Sequence, residues 1–231
     1  MIRLSVDAMG GDLGLDATVP ASVKIANENS DTTLILVGDE GKINAALEAH
    51  SAPSSISVQH ASEVVEMQDS PSYALRKKKD SSMRVAINLV SQGAADACIS
   101  SGNTGALMAT ARFVLKTIQG IERPAICSAL PKLEGFTYML DLGANIDSRS
   151  DILFQFGMMG SILVQTLESK ETPSVRLLNI GVEELKGNDT IKAAAELFRG
   201  SDLNYQGFVE PNDLYLGDTD LVVCDGFIGN I

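Results

Sequence analysis

The sequence predicts an α/β protein built as three layers, a mostly parallel sheet flanked by helices. Short β-branched apolar runs alternate with stretches whose apolar residues recur at helical spacing, and the glycines gather just after the runs. Strand, helix, strand order is what parallel pairing needs, because each crossover must carry the chain back to the same end of the sheet. With 231 residues, 45% of them hydrophobic, the chain can bury a core as one large domain or as two tightly joined lobes. The simplest division is a single α/β domain over residues 1–231.

The chain opens on a strand at 2–6, turns at Gly10-Gly11, and enters a helix at 17–28. A strand at 33–37, a helix at 40–49 and a short strand at 56–58 follow, the last reached through an ordinary Ser-rich loop. Ser70-Pro71 marks a helix start, and Asp80-Ser81-Ser82 caps a further helix at 82–92. The strand at 96–99 feeds a glycine loop and a helix at 104–117. Strands at 125–130 and 136–140 are joined so tightly that they must pair antiparallel. The helix at 148–167 is interrupted by Gln155, Gly157, Gly160, Ser161 and Gln165, which suits a buried helix better than a membrane span of about 20 apolar residues. Strands at 175–180, 206–209 and 221–224, with a helix at 190–198, complete the pattern. The sequence stops where a crossover helix is due after 221–224, which reads as a truncated chain with apolar surface left bare.

Charge and cysteine usage narrow the partners. Lys and Arg number 18 against 30 Asp and Glu, a net −12, which disfavours nucleic-acid binding over a broad face and requires a local basic patch for any anion. Cys98, Cys127 and Cys224 are widely spaced and cannot all pair, as in a reducing compartment. The N-terminus lacks a signal-peptide pattern. A cytoplasmic location is expected.

Five glycine loops follow strands, at 7–12, 100–105, 141–145, 181–188 and 225–230, and are expected to meet on one carboxyl edge, where ligands bind in such sheets. Each alone is also an ordinary turn. The best anion cradle is Ser100, Ser101, Gly102, Asn103, Thr104 and Gly105, which opens a long helix at its positive dipole end. Phosphate is its natural guest. Neither GxxxxGK[ST] nor, after the first strand, GxGxxG is present, which disfavours nucleoside-triphosphate hydrolysis and dinucleotide binding. His50 and His60 lie away from the glycine loops and read as structural or exposed, and strand cysteines read as inert packing. Asp7, Asp12 and Asp225 are set as loop caps against a carboxylate metal site. Arg76, Lys77, Lys78 and Lys79 form the densest basic run, equally readable as a solvated face or as a dock for an anion or acidic protein.

The motifs DAMGGD at 7–12, SPSYALRKKKDSS at 70–82, SSGNTGAL at 100–107, LDLGAN at 140–145, NIGVEELKGND at 179–189, GFVEPND at 207–213 and CDGFIGN at 224–230 closely resemble the bacterial phosphate acyltransferase (PlsX) family, in order and along essentially the whole chain. Leu15 and Pro211 stand where that family usually has proline and glycine. The resemblance implies a fold like isopropylmalate dehydrogenases and phosphate acetyltransferases. It also implies transfer of a fatty acyl group from acyl carrier protein to inorganic phosphate, without cofactor or metal. The acyl phosphate would serve a membrane-bound glycerol-3-phosphate acyltransferase, and the enzyme would be a homodimer loosely associated with the membrane. In that reading Ser101, Asn103 and Thr104 hold phosphate, and Lys186 and Asn230 stabilise charge on the thioester oxygen. Asn145 and Asn188 orient by hydrogen bonds, and the basic run docks the acidic carrier. The alternatives are a short-chain phosphate acyltransferase using coenzyme A and a non-catalytic acyl- or carrier-binding module.

Overall fold

The computed structural model describes residues 1–217 and 219–230; Asp218 and Ile231, the expected domain's last residue, lie outside them. The chain falls into two compact units, residues 1–117 and 118–231.

The first unit contains β1 (Ile2–Asp7), α1 (Leu15–Glu28), β2 (Thr32–Gly38), α2 (Glu40–Ala49), β3 (Ile56–His60), α3 (Pro71–Lys77), α4 (Ser82–Ser91), β4 (Ala97–Ser100) and α5 (Thr104–Leu115). Its sheet runs β3-β2-β1-β4, every pair parallel. Val6, Val19, Val23, Leu36 and Ile43 close the core between one sheet face and α1–α2. On the opposite face Val37 packs with Ala86, and Met83, Ile87 and Ala106 close the core among α3, α4 and α5. Three layers result. Ser5 breaks the apolar pattern of β1 because its hydroxyl donates to the Ala86 carbonyl at 2.9 Å, satisfying a buried polar group. Side-chain caps from Asp39, Ser70, Ser81 and Asn103 start α2, α3, α4 and α5.

The second unit contains β5 (Cys127–Pro131), β6 (Phe136–Leu140), α6 (Ser150–Glu168), β7 (Val175–Leu178), α7 (Asp189–Arg199), β8 (Tyr205–Val209), a single 3-10 turn (Pro211–Asp213) and β9 (Leu221–Val223). Its sheet order is β5-β6-β9-β7-β8, and β5–β6 is the antiparallel pair expected from the short link. Leu221, Val222 and Val223 are fully buried, so this central strand is apolar on both faces. α6 and α7 cover one face through Ile152, Leu153, Phe156 and Phe198. The other is closed by Leu214 against Met139, Leu178, Val209 and Val222.

Two expectations change. The glycine loops occupy the carboxyl edges of two sheets, because periodicity identifies strands without saying which ones pair. α6 is buried along one face only, leaving Met158, Ile162 and Leu167 exposed. Among the described residues no helix is long and apolar enough to cross a membrane.

Gly157 of α6 explains how closely that helix approaches α7: a Cβ there would overlap the Phe198 ring. Gly157→Ala is expected to lower stability by about 1–3 kcal/mol through overpacking, measured as a shifted urea midpoint with unchanged m-value.

Candidate functional site

β1 and β4 are neighbours, so the loops at 7–12 and 100–105 share an edge. Their packing uses most of the hydroxyls that the anion cradle was expected to offer. Ser100 Oγ donates to Asp7 Oδ2 at 2.7 Å and accepts the Gly102 N–H at 3.1 Å, while Ser101 Oγ donates to the Gly10 carbonyl at 3.0 Å. A Cβ on Gly10 would come within 2.5 Å of Asp7 Oδ2, and one on Gly11 within 2.8 Å of Ser101 Oγ. These glycines admit loop against loop.

Asn103 is likewise committed. Its Oδ1 accepts the Ala106 N–H at 3.0 Å, and its Nδ2 donates to the Met67 and Asp69 carbonyls at 2.9 Å each. A Cβ on Gly105 would lie 3.0 Å from Pro71 Cγ, so the first turns of α3 and α5 abut. What stays available is the exposed Thr104 side chain and the first-turn N–H groups of Thr104 and Gly105, at the positive end of α5. Arg76, Lys77, Lys78 and Lys79 lie at the far end of α3, about 10 Å along its axis; none forms an ion pair among the described residues.

In the second unit β6, β9 and β7 are adjacent and parallel, which sets the loops at 141–145, 225–230 and 179–188 side by side. Asp141 organises the first. Fully buried, it accepts the N–H groups of Ile126, Ala144 and Asn145 at 2.9, 3.1 and 2.6 Å and Asn145 Nδ2 at 2.9 Å. Asn145, expected to orient substrate, braces this loop through that bond and another to the Pro124 carbonyl at 2.9 Å. The 225–230 loop lies on it: the Gly226 N–H donates to the Asn145 carbonyl at 2.8 Å, and a Cβ on Gly229 would overlap the Asp141 carbonyl oxygen. Asn230 is exposed, with Oδ1 3.3 Å from where a Gly143 Cβ would stand. Asn188 caps α7 by accepting the Ile191 N–H at 2.9 Å. Lys186 is exposed beside Gly181, without an ion-pair partner among the described residues.

Sequence reasoning missed Asp141 and Asn179 as loop organisers. Asn179 Nδ2 donates to the Gly181 carbonyl at 3.1 Å, and the left-handed Gly187 (φ 88°) passes close to its Oδ1. Their signal was a polar residue ending an apolar strand.

His60 Nδ1 accepts the Glu40 N–H at 3.4 Å, and His50 is exposed at the C-cap of α2, where its backbone N–H donates to the last turn. Burial pushes the Cys98 thiol up to about 11, Cys224 up to about 12, and Cys127 upward too. Asp225 Oδ1 caps its own turn, accepting the Phe227 and Ile228 N–H groups at 3.0 and 2.9 Å. Among the described residues no group of three His, Cys, Asp or Glu could hold a metal ion.

The model of a family described as fatty acid synthesis protein matches residues 2–231. A phosphate acyltransferase from Legionella pneumophila (strain Corby) is 56% identical over 233 residues, spanning 100% of this chain and 68% of the relative. In fold, the chain is similar to EutD phosphotransacetylase from Staphylococcus aureus, with TM-score 0.68 at 17% identity over 99% of this chain and 79% of the other. It is also similar to a 4-hydroxythreonine-4-phosphate dehydrogenase from Burkholderia phymatum, with TM-score 0.57 at 14% identity over 96% and 79%. The chain belongs to the fatty acid synthesis protein family.

Because raised thiol pKa values deplete the thiolate below them, Cys98 and Cys224 are expected to resist iodoacetamide at pH 8 in the folded protein and to react fully in denaturant. Mass spectrometry of the labelled peptides reads both states.

Proposed function

We propose that this chain transfers a fatty acyl group from acyl carrier protein to inorganic phosphate, forming acyl phosphate for phospholipid synthesis. The observation that carries the reading is the unspent anion edge at Thr104 and Gly105 in a chain whose thiols are held protonated by burial. The nucleophile then arrives with the substrate. A phosphate oxygen attacks the thioester carbonyl, the carbonyl π pair moves onto oxygen, and its return expels the carrier thiolate, which takes a proton from solvent. Such a reaction needs donors that hold phosphate and charge that stabilises the oxyanion, more than a serine–histidine pair. Thr104 and its first-turn N–H groups serve the phosphate, with Ser100, Ser101, Gly102 and Asn103 fixing the loop. Lys186 and Asn230 are the exposed groups of the second unit suited to an oxyanion, and Asn145 and Asn188 hold the loops that carry them.

The carrier docks on the basic run. Residues 70–117 hold seven cations, Arg76, Lys77, Lys78, Lys79, Arg84, Arg112 and Lys116, against Asp80 and Asp96, in a chain of net charge −12. Asp80 is engaged by Ser62 and Asp96 by Arg3. That segregation suits an acidic partner.

The test is acyl phosphate formation, trapped as the hydroxamate, from acyl carrier protein and phosphate. Turnover only with acyl-coenzyme A supports the short-chain alternative, and binding without turnover the non-catalytic one. Lys186→Ala is expected to lower kcat by about 10²–10³, the loss typical of one oxyanion donor, with an unchanged thermal midpoint. Lys77→Glu with Lys78→Glu is expected to slow carrier association at low salt and to leave the phosphate KM within twofold. Surface plasmon resonance across a salt series checks the first, since exposed charges are screened over about 8–10 Å at physiological ionic strength.

A further inference from the structure

The helices divide by charge. α1, α2, α6 and α7 each hold two carboxylates, whereas α3, α4 and α5, which pack on one another, hold none. In a chain with 30 Asp and Glu, that leaves one helical surface on which cations stand without compensation.

Where the first turn of α4 meets the last turn of α5, this charge closes on an aromatic ring. Arg84 Cζ stands 5.2 Å and Lys116 Nζ 4.9 Å from the centroid of Phe113, which is 53% exposed although Thr110, about one turn before it, is buried. Arg84 Nε donates to Asn88 Oδ1 at 3.3 Å. Neither cation has an ion-pair partner among the described residues, and nor has Arg112.

Helix electrostatics explain only part of this. The negative end of α5 favours Arg112 and Lys116. Arg84 occupies the first turn of α4, the positive end, where a carboxylate is the favoured residue. It also shares its ring with a second cation, well inside the roughly 8 Å over which salt screens charge. The ring attracts both. An exposed aromatic with unpaired cations about it has the composition of a protein-binding centre, where aromatic residues and Arg are enriched.

We propose that Arg84, Phe113 and Lys116 form the centre of the carrier-docking surface, seating an acidic helix of the carrier with an apolar side chain on Phe113 and carboxylates on the two cations; the inference rests on the acyl-transfer reading. Charge selects this occupant: a chain of net charge −12 repels an acidic partner except where its own carboxylates are missing. The run at 76–79 then steers the encounter and the ring holds it, since rim charges act on association and a desolvated aromatic centre on dissociation. Phe113 lies nine residues along α5 from Thr104, about 14 Å. The thioester crosses that distance on the carrier's flexible arm.

Surface plasmon resonance of the full chain against carrier without an acyl group reads docking apart from turnover. Phe113→Ala is expected to raise the dissociation rate about tenfold and to leave the association rate within about twofold. Arg84→Gln with Lys116→Gln is expected to weaken binding about tenfold at low salt and to flatten its salt dependence. Circular dichroism shows which variants keep the fold, so that a fault in one leaves the other decisive. In turnover, the ratio of kcat/KM for decanoyl on the carrier to decanoyl on N-acetylcysteamine, a thioester with no protein surface, is expected to fall about tenfold in both variants. No carrier binding by the unmodified chain, unchanged dissociation in Phe113→Ala, equal losses for the two thioesters, or an equal loss for decanoyl-coenzyme A overturns the proposal. If the unmodified chain forms no acyl phosphate yet the variants still lose the carrier, the acyl-transfer reading fails and the docking surface stands.

Discussion

Each unit ends a strand in a buried aspartate, and the loops around both edges are arranged by what those carboxylates need. Burying a carboxylate is costly unless donors surround it. Asp141 meets the requirement with four N–H groups, which fold the 141–145 loop inward and draw Asn145 into the brace. Asp7 meets it by half, through the Ser100 hydroxyl alone. The same residue type after a sheet strand is thus a fully satisfied centre in one unit and a half-satisfied one in the other. An unmet buried acceptor costs about 1–3 kcal/mol, a cost the Asp7 side chain carries out of reach of solvent.

The glycines follow from these carboxylates. Gly10 passes over Asp7, and Gly229 lies on the Asp141 carbonyl. A side chain at Gly10 would collide with the carboxylate itself, and one at Gly229 would push the 225–230 loop off the Asp141 backbone. Glycine after a strand is therefore ambiguous in sequence: the backbone approach it permits can serve a ligand or another loop. Gly10, Gly11, Gly226 and Gly229 serve loops, whereas Thr104 and Gly105 leave their N–H groups free.

This ambiguity decides how much was legible. Strands and helices were readable because burial imposes the period: Glu40–Ala49 and Phe136–Leu140 coincide with α2 and β6, and other limits differ by a residue or two. α3 was visible only as its Ser70-Pro71 start, since seven residues give too few turns for an apolar period. The division of strands between two sheets was not legible, because pairing is a long-range choice that local pattern does not encode. In the site, Lys186 and Thr104 were found as exposed polar residues in glycine loops. Ser101, Asn103 and Asn145 had the same chemistry on paper, and only hydrogen-bond partners distant in sequence show them to be bracing groups.

The thiols, held protonated by burial, bear on the type of chemistry that remains. A protein that presents free N–H groups and unpaired cations, with no poised base, can accelerate reactions whose nucleophile is already anionic at neutral pH. Phosphate is such a nucleophile, and a thiolate is a fair leaving group, so the barrier lies in bringing two negative partners together and holding the oxyanion. A net charge of −12 works against that approach at long range. Screening limits the penalty to roughly 8–10 Å at physiological ionic strength, so the local field decides the encounter. Concentrating seven cations in residues 70–117, against two engaged aspartates, gives that stretch a local field opposite in sign to the net charge of the chain.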